Sequence, residues 1–115
     1  MYVYVFQTDL LCDACGEALA AEMSAAGVDD TGDSDDYPQG PMSDGGGEAD
    51  SPHHCGRGAD CVNAEEIGDR VVGAFLENPL TEEGVGYVTQ QSQRCPHSAI
   101  VGLWAEYYGI DREAA

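Results

Sequence analysis

Four cysteines and a histidine are the residues of this 115-residue chain whose types and spacing are typical of a metal site. Cys12 and Cys15 have two residues between them, so both thiolates can reach one ion from a single turn. Cys55 and Cys61 follow after a long insert, and the gap between them is wider than in most zinc sites. Structural zinc takes four thiolate or imidazole ligands. The sequence therefore predicts zinc bound by Cys12, Cys15, Cys55 and Cys61, with His54 as the substitute ligand for Cys55.

Two other thiol chemistries are possible for the same cysteines. Disulfides are disfavoured for three reasons. Cys12 and Cys15 are too close in sequence for a disulfide between them to stabilise a fold, and the number of cysteines, five, is odd. The N-terminus also lacks the basic flank of a secretory signal. A thiol redox centre would explain a cysteine pair that opens a helix after an apolar strand. That alternative leaves Cys55 and Cys61 without a role, so zinc is the favoured interpretation.

A zinc-dependent hydrolase is the enzymatic alternative. Such an enzyme needs three protein ligands, an open position and a nearby base, and His54 with Glu48 or Asp50 could supply part of this set. The chain contains no phosphate-binding loop, dinucleotide motif or serine-histidine-aspartate pattern. We therefore expect a protein that is not an enzyme.

The elements that must position the cysteines form an α+β pattern. Residues 1–7 alternate aromatic and β-branched side chains and predict a strand, and residues 13–25 predict a helix capped by Asp13 and ended by Gly27. Residues 62–69 predict a turn, and residues 70–76 predict a second strand that pairs with the first.

Two further helices follow in the C-terminal third. One begins at the Thr81 cap and runs to about residue 93, with Val85 and Val88 on its inner face. The other is capped by Ser98 and ended by Gly109, with its apolar face formed by Ile100, Leu103, Trp104 and Tyr107. We expect one domain over residues 1–115: a zinc-stapled α+β fold with an antiparallel sheet of two to three strands packed by about three helices.

An acidic segment (residues 28–52) separates the two cysteine pairs. It is rich in Asp, Gly and Pro and has no basic residue, so it predicts a solvated loop without regular structure. A calcium site built from Asp29, Asp33 and Asp35 is the alternative, although their spacing is not that of an EF-hand loop.

The charge balance restricts the partners. The formal net charge is -18 with no lysine, so phosphate backbones and anionic membranes are poor partners. No apolar run reaches membrane-spanning length. We expect a cytoplasmic protein that meets the basic surface of another protein through its carboxylates. The predicted contact residues are Asp29, Asp30, Asp33, Asp35, Asp36, Glu82 and Glu83.

Four blocks of sequence resemble a group of small acidic zinc-binding proteins from phages and bacterial mobile elements. The blocks are residues 12–16, 44–55, 75–81 and 103–108. In that group a cysteine follows the His-Cys pair after two residues, and the Phe-Leu-Glu-Asn block comes soon after. This chain differs in two ways: Cys61 lies further along the chain, and an extra segment precedes Phe75. The resemblance implies a phage or prophage origin and carries no established activity.

Together these features predict a zinc-stabilised acidic interaction module. The resemblance and the charge suggest a phage-borne inhibitor that mimics DNA and docks on a nucleic-acid-binding defence complex in the bacterial host cytoplasm, as anti-CRISPR proteins do. An orphan structural zinc protein with no mimic role is the other non-enzymatic alternative.

Overall fold

The computed structural model describes residues 2–110. Its first sheet is antiparallel with the order β2-β1-β3 and contains β1 (Val3–Phe6), β2 (Asp9–Cys12) and β3 (Gln39–Met42). β1 is the predicted first strand, and it turns directly into β2 through Gln7 and Thr8. The hairpin leads the chain to Cys12 at the end of β2, which is how the first cysteine pair reaches the core.

β3 lies within the acidic segment, so the prediction that this segment lacks regular structure was wrong. Val3 pairs with Met42 and Val5 with Gln39, with an irregularity between the two pairs. Pro41 has no backbone N–H, and a strand at the edge of a sheet tolerates this because its outer side needs no partner. The acidic segment is therefore attached to the central strand.

A second, two-stranded antiparallel sheet contains β4 (Glu65–Ile67) and β5 (Arg70–Val72). The prediction of one strand over residues 70–76 paired with the N-terminal strand was wrong, as was the predicted turn over residues 62–69. A two-residue turn at Gly68 and Asp69 folds β5 back onto β4 instead. Beyond β5, Phe75 forms an isolated antiparallel bridge with His54.

The part of the chain that the structure describes contains three α-helices: α1 (Asp13–Ala25), α2 (Glu82–Arg94) and α3 (Ala99–Tyr108). α1 packs against β1 and β2. Its N-cap is Cys12, in place of the predicted Asp13, whose carboxylate accepts a hydrogen bond from the Ala14 N–H within the first turn.

The caps of α2 and α3 confirm the sequence predictions. The Thr81 and Ser98 side chains accept hydrogen bonds from the N–H groups of Gly84 and Val101, and Gly109 ends α3 in the left-handed conformation.

The two helices pack on each other, but their inner faces differ from those predicted. Val88 is buried as expected, whereas Val85 is 43% exposed. In α3 the buried residues are Val101 and Ala105, while Tyr107 is exposed and Ile100, Leu103 and Trp104 are half-buried. The buried positions of the two helices are therefore held by small and medium-sized residues, while the bulky side chains of α3 are only partly covered.

The hydrophobic core of the sheet region is built around the cysteines. Its buried members are Val3, Leu11, Cys12, Cys15, Cys55, Cys61, Ala74 and Leu76. Half of this cluster consists of thiols, so the candidate metal site is also the packing centre. Three helices with two small antiparallel sheets confirm the predicted α+β class. Within residues 2–110, no helix is long and apolar enough to cross a membrane.

Candidate metal centre

The first cysteine pair is placed by the junction of β2 and α1. Cys12 is the last residue of β2, where it pairs with Val3, and Cys15 lies in the first turn of α1. Gly16 allows this junction to sit close to the sheet, since a Cβ there would lie 2.3 Å from the Tyr4 ring. The glycine after the second cysteine therefore serves helix-to-sheet packing.

The second pair is placed by a backbone ladder and a tight turn. The Cys55 N–H donates to the Ala74 carbonyl at 2.8 Å, which fixes this residue beside the extended chain after β5. A 3₁₀ turn, Gly58–Asp60, then brings the chain back, and the Cys61 N–H donates to the Gly58 carbonyl at 3.0 Å. Gly58 has φ +56°, a conformation that favours glycine, so it permits the wide spacing of this pair.

The four sulfurs converge as the sequence predicts. All four ligand atoms of Cys12, Cys15, Cys55 and Cys61 lie within 4.8 Å of one another. Cys61 Sγ is 3.6 Å from both Cys12 Sγ and Cys15 Sγ. Tetrahedral zinc with Zn–S bonds of about 2.3 Å places its sulfurs about 3.8 Å apart. The cluster can therefore hold a metal ion of this size.

Burial and hydrogen bonding give the thiols different acidities. Burial raises the pKa of Cys12 and of Cys55 above the ordinary value. Burial also acts on Cys61, but hydrogen bonds from the backbone of Ala74 and Asn63 and from the neighbouring thiols outweigh it and lower the pKa of Cys61 to about 7. Cys61 is thus the thiol that most readily supplies a thiolate to an arriving cation.

A backbone N–H also serves Cys15. The Val62 N–H donates to Cys15 Sγ at 3.2 Å, across the gap between the two halves of the chain. Amide donors of this kind stabilise negative charge on sulfur. This hydrogen bond links the residue after Cys61 to the first turn of α1, and so holds the two cysteine pairs together.

His54, the substitute ligand, lies outside the cluster. Its Nε2 accepts a hydrogen bond from Trp104 Nε1 at 3.0 Å, so its Nδ1 carries the proton and donates to the Gly73 carbonyl at 2.7 Å. Both ring nitrogens are therefore engaged, and Cys55 takes the place in the cluster. The two residues considered for a hydrolase are also elsewhere: Glu48 is exposed, and the Asp50 carboxylate accepts a hydrogen bond from the Thr81 hydroxyl.

The seven predicted contact carboxylates are exposed at two places, in the acidic segment and at the start of α2. Glu82 and Glu83 lie in the first turn of α2, where the helix dipole favours negative charge. Asp30 Oδ1 accepts hydrogen bonds from Gln39 Nε2 at 2.8 Å and from the Gly32 N–H at 2.9 Å. Both hydrogen bonds lower the pKa of Asp30, and the bond from Gln39 has the larger effect.

The acidic segment is held against the body of the protein. The Gln7 N–H donates to the Ser34 carbonyl at 2.7 Å, and the Tyr37 hydroxyl donates to the Ala20 carbonyl at 3.1 Å. Within residues 2–110, the four cysteines are the one group of three or more Cys, His, Asp or Glu side chains whose ligand atoms converge. The carboxylates considered for calcium therefore do not meet around a common point.

Asn78 is a structural residue that the sequence analysis did not identify. It is fully buried, its Oδ1 accepts from the His53 N–H at 2.8 Å, and its Nδ2 donates to the Ser51 carbonyl at 3.0 Å. The Tyr108 hydroxyl donates to its backbone carbonyl. Asn78 thereby ties the segment before Cys55 to the end of α3. An Asn-Pro pair is a common turn signal, so the sequence carried no hint of this role.

Comparison of the chain with known protein families, with characterised proteins and with solved structures gives no match.

Proposed function

We propose that this chain is a zinc-stabilised acidic module that binds a basic surface on a partner protein. The zinc assignment is supported by four buried thiols that converge at the spacing of a tetrahedral site. Structural zinc sites are closed by four protein ligands, whereas catalytic sites keep one position for water. A complete set of four cysteine ligands supports a structural role for the metal, so the proposed recognition surface is sought among other residues.

The binding assignment rests on one observation: two exposed carboxylates of the acidic segment, those of Asp30 and Asp33, are held by hydrogen bonds. Asp30 and Asp33 accept hydrogen bonds within the segment, and β3 attaches the segment to the sheet. A surface that is acidic only for solubility has no need of fixed carboxylates. Fixed charges lose less conformational entropy on binding, which favours recognition of a complementary surface.

The class of partner follows from the same chemistry. Proteins that bind nucleic acids present Lys and Arg side chains at the spacing of phosphates, and rigid carboxylates can occupy those positions. The resemblance to phage proteins extends the proposal to a nucleic-acid-binding defence complex of a bacterial host. Inhibition there would come from competition with the natural DNA or RNA ligand.

The test is a competition assay with zinc-loaded protein against host nucleic-acid-binding complexes, including a CRISPR surveillance complex, with labelled duplex as the competitor. We expect the module to displace the duplex, and its affinity to fall at least about tenfold between about 50 mM and 300 mM NaCl because salt screens the charges. Neutralising Asp35, Asp36, Glu82 and Glu83 to their amides should remove most of this affinity.

A variant with the same chemistry at other sites is the control. Glu22 and Glu106 are exposed carboxylates outside the two proposed contact areas, and their change to Gln should leave affinity within about twofold. Binding that ignores salt, or that survives the four neutral substitutions, would show that the carboxylates are not the recognition element.

A further inference from the structure

A pocket of about 260 Å³ lies between β4, the chain after β5 and α3. Five side chains line it: Glu65, Phe75, Glu77, Leu103 and Tyr107. None of them belongs to the cysteine cluster or to the acidic segment. The volume is below that of pockets for drug-sized ligands, so it suits a single side chain.

The walls of this pocket are aromatic rings that pack against further aromatic side chains. The Phe75 ring is 7% exposed and stacks on His54 with centroids 5.3 Å apart and planes at 27°. The Tyr107 ring meets Phe75 edge-on at 5.0 Å, and Tyr108 supports both rings. Because His54 is itself held by Trp104, the aromatic walls have little freedom to collapse into the pocket.

The charged residues of the lining are both acidic. Glu65 is an exposed residue of β4, and Glu77 is half-buried beside the aromatic rings. Glu77 also has φ +55°, a conformation that costs energy for any residue with a Cβ. Burial, followed by the neighbouring Tyr107 and Glu77, raises the pKa of Tyr108 to about 12. None of the five lining residues is a cation.

We propose that this pocket receives an arginine side chain of the basic partner. A guanidinium stacks on aromatic faces and forms paired hydrogen bonds with carboxylates, and the pocket offers both groups together. Leu103 supplies apolar contact for the methylene stem. Arginine fits better than lysine because an ammonium is a point charge with stronger hydration. The proposal rests on the proposed function, since the partner's basic surface supplies the arginine.

The probe is a capped Gly-Gly-Arg-Gly-Gly peptide, titrated into the zinc-loaded full-length protein and followed by amide NMR shifts. Two matched peptides replace Arg by Lys and by citrulline, which keeps the shape of arginine without its charge. We expect millimolar binding of the Arg peptide with the largest shifts at residues lining the pocket. The citrulline peptide should bind at least about fivefold more weakly, and the Lys peptide should lie between them.

Two variants test the lining itself. Glu77→Gln removes a carboxylate, and Tyr107→Leu removes an aromatic wall at a position that is 48% exposed and therefore tolerant of change. Each should weaken the Arg peptide at least about threefold. Glu22→Gln, at an exposed carboxylate on α1 outside the pocket and the proposed contact areas, is the control and should leave peptide binding unaltered. Equal binding of the Arg and citrulline peptides would overturn the proposal, as would shifts centred on the acidic segment.

The same variants separate this inference from the proposed function. If salt-sensitive binding to a nucleic-acid-binding complex persists in both pocket variants and the peptide gives no shifts, the pocket proposal fails and the acidic module stands. If the pocket binds the peptide but no complex binds the protein, the proposed function fails. Concentration-dependent shifts without peptide that vanish in Arg70→Gln would instead place an arginine of a second copy in the pocket and overturn the assignment to a partner.

Discussion

Cys61 joins two parts of the chain that are far apart in sequence. Its sulfur lies 3.6 Å from that of Cys12, and 49 positions separate the two residues. Without an ion, burial raises the pKa of Cys12 and Cys55 and disfavours their thiolates, and the cysteines are in contact without a covalent bond. An ion bound among the four sulfurs would convert this weak contact into a cross-link. It would join the start of α1 to the 3₁₀ turn that precedes Cys61.

Loss of one thiol should therefore destabilise the whole core. We expect Cys12→Ser and Cys61→Ser to abolish stoichiometric zinc and to lower stability by about 3 kcal/mol or more, equivalent to a fall in Tm of about 15 °C or more. Elemental analysis of the purified variants and thermal melts measure both effects.

Cys95→Ser is the matched control, since Cys95 is exposed and lies outside the cluster. Its zinc content and Tm should stay near those of the parent. A parent protein that lacks zinc and ignores chelator would contradict the metal assignment.

Zinc affinity should depend steeply on pH because the ion competes with protons. Burial raises the pKa of Cys12 and Cys55 above 9.0, so both are protonated in the metal-free protein at neutral pH and must lose a proton on binding. Cys61 has its pKa lowered to about 7, so it adds a further proton only as pH falls through 7. The affinity should rise at least about 100-fold between pH 7.5 and 8.5, and fall more steeply below pH 7.

A competition titration with a chromophoric chelator at about 10 °C measures this dependence. Cys95→Ser should reproduce the parent slope. A flat profile would indicate that the ion is held by groups other than thiols.

The choice between Cys55 and His54 shows where the sequence stops being informative about the site. The two-residue spacing of Cys12 and Cys15 is a local feature, so this half of the site could be predicted from the sequence. Adjacent residues in extended chain point to opposite sides, so only one of His54 and Cys55 could face the core. Which one did so depended on the bridge to Phe75 and on the distant Trp104, and neither contact has a local signature.

At the scale of elements, the same substitution should have opposite effects in two helices. Gly16→Ala in α1 would place a Cβ 2.3 Å from the Tyr4 ring, and we expect a loss of about 1–3 kcal/mol from overpacking. Gly86→Ala in α2 meets open space and should gain about 0.5–1 kcal/mol from helix propensity.

Urea unfolding of the two zinc-loaded variants gives both values. Equal gains would show that α1 does not pack closely on β1. A loss in Gly86→Ala would show that this face of α2 is covered by another surface in solution.

Helix ends were predicted well and strand pairings poorly, for a physical reason. Caps are local: Thr81, Ser98 and Gly109 each act within one turn. The β1–β2 hairpin turns at Gln7, which adopts φ +55° without being Gly or Asn, so the usual turn signal is missing. The Gly68-Asp69 pair is a turn signal between β4 and β5. The apolar run that follows it nevertheless favoured the prediction of a single strand over residues 70–76.

The whole molecule is elongated, with extents of 54 × 29 × 17 Å and a radius of gyration of 15.6 Å. A compact domain of this length would have a radius of gyration of about 13 Å. The cysteine core and the α2–α3 pair are joined by an aromatic cluster and by the contacts of Asn78. An elongated shape spreads the net charge of -18 over more surface, which reduces its self-repulsion.

Self-repulsion of this size should make added salt stabilising. We expect the Tm of the zinc-loaded protein to rise on the order of 5 °C when NaCl is raised from about 20 mM to about 500 mM, because the Debye length falls from about 20 Å to about 4 Å. Differential scanning calorimetry measures the change. The variant with Asp35, Asp36, Glu82 and Glu83 neutralised carries four fewer charges and should show a smaller rise. A Tm that falls with salt would indicate that attractive charge pairs dominate.

The placement of thiols in half of the core cluster has a consequence for the lifetime of the protein in a cell. During synthesis the first cysteine pair emerges from the ribosome long before Cys61, so the core cannot close until more than half of the chain has been made. If the ion is zinc, as proposed, a cell poor in zinc would leave that closure incomplete and expose the chain to proteases. The abundance of the protein would then follow the metal supply of the cell that makes it, without any dedicated regulator.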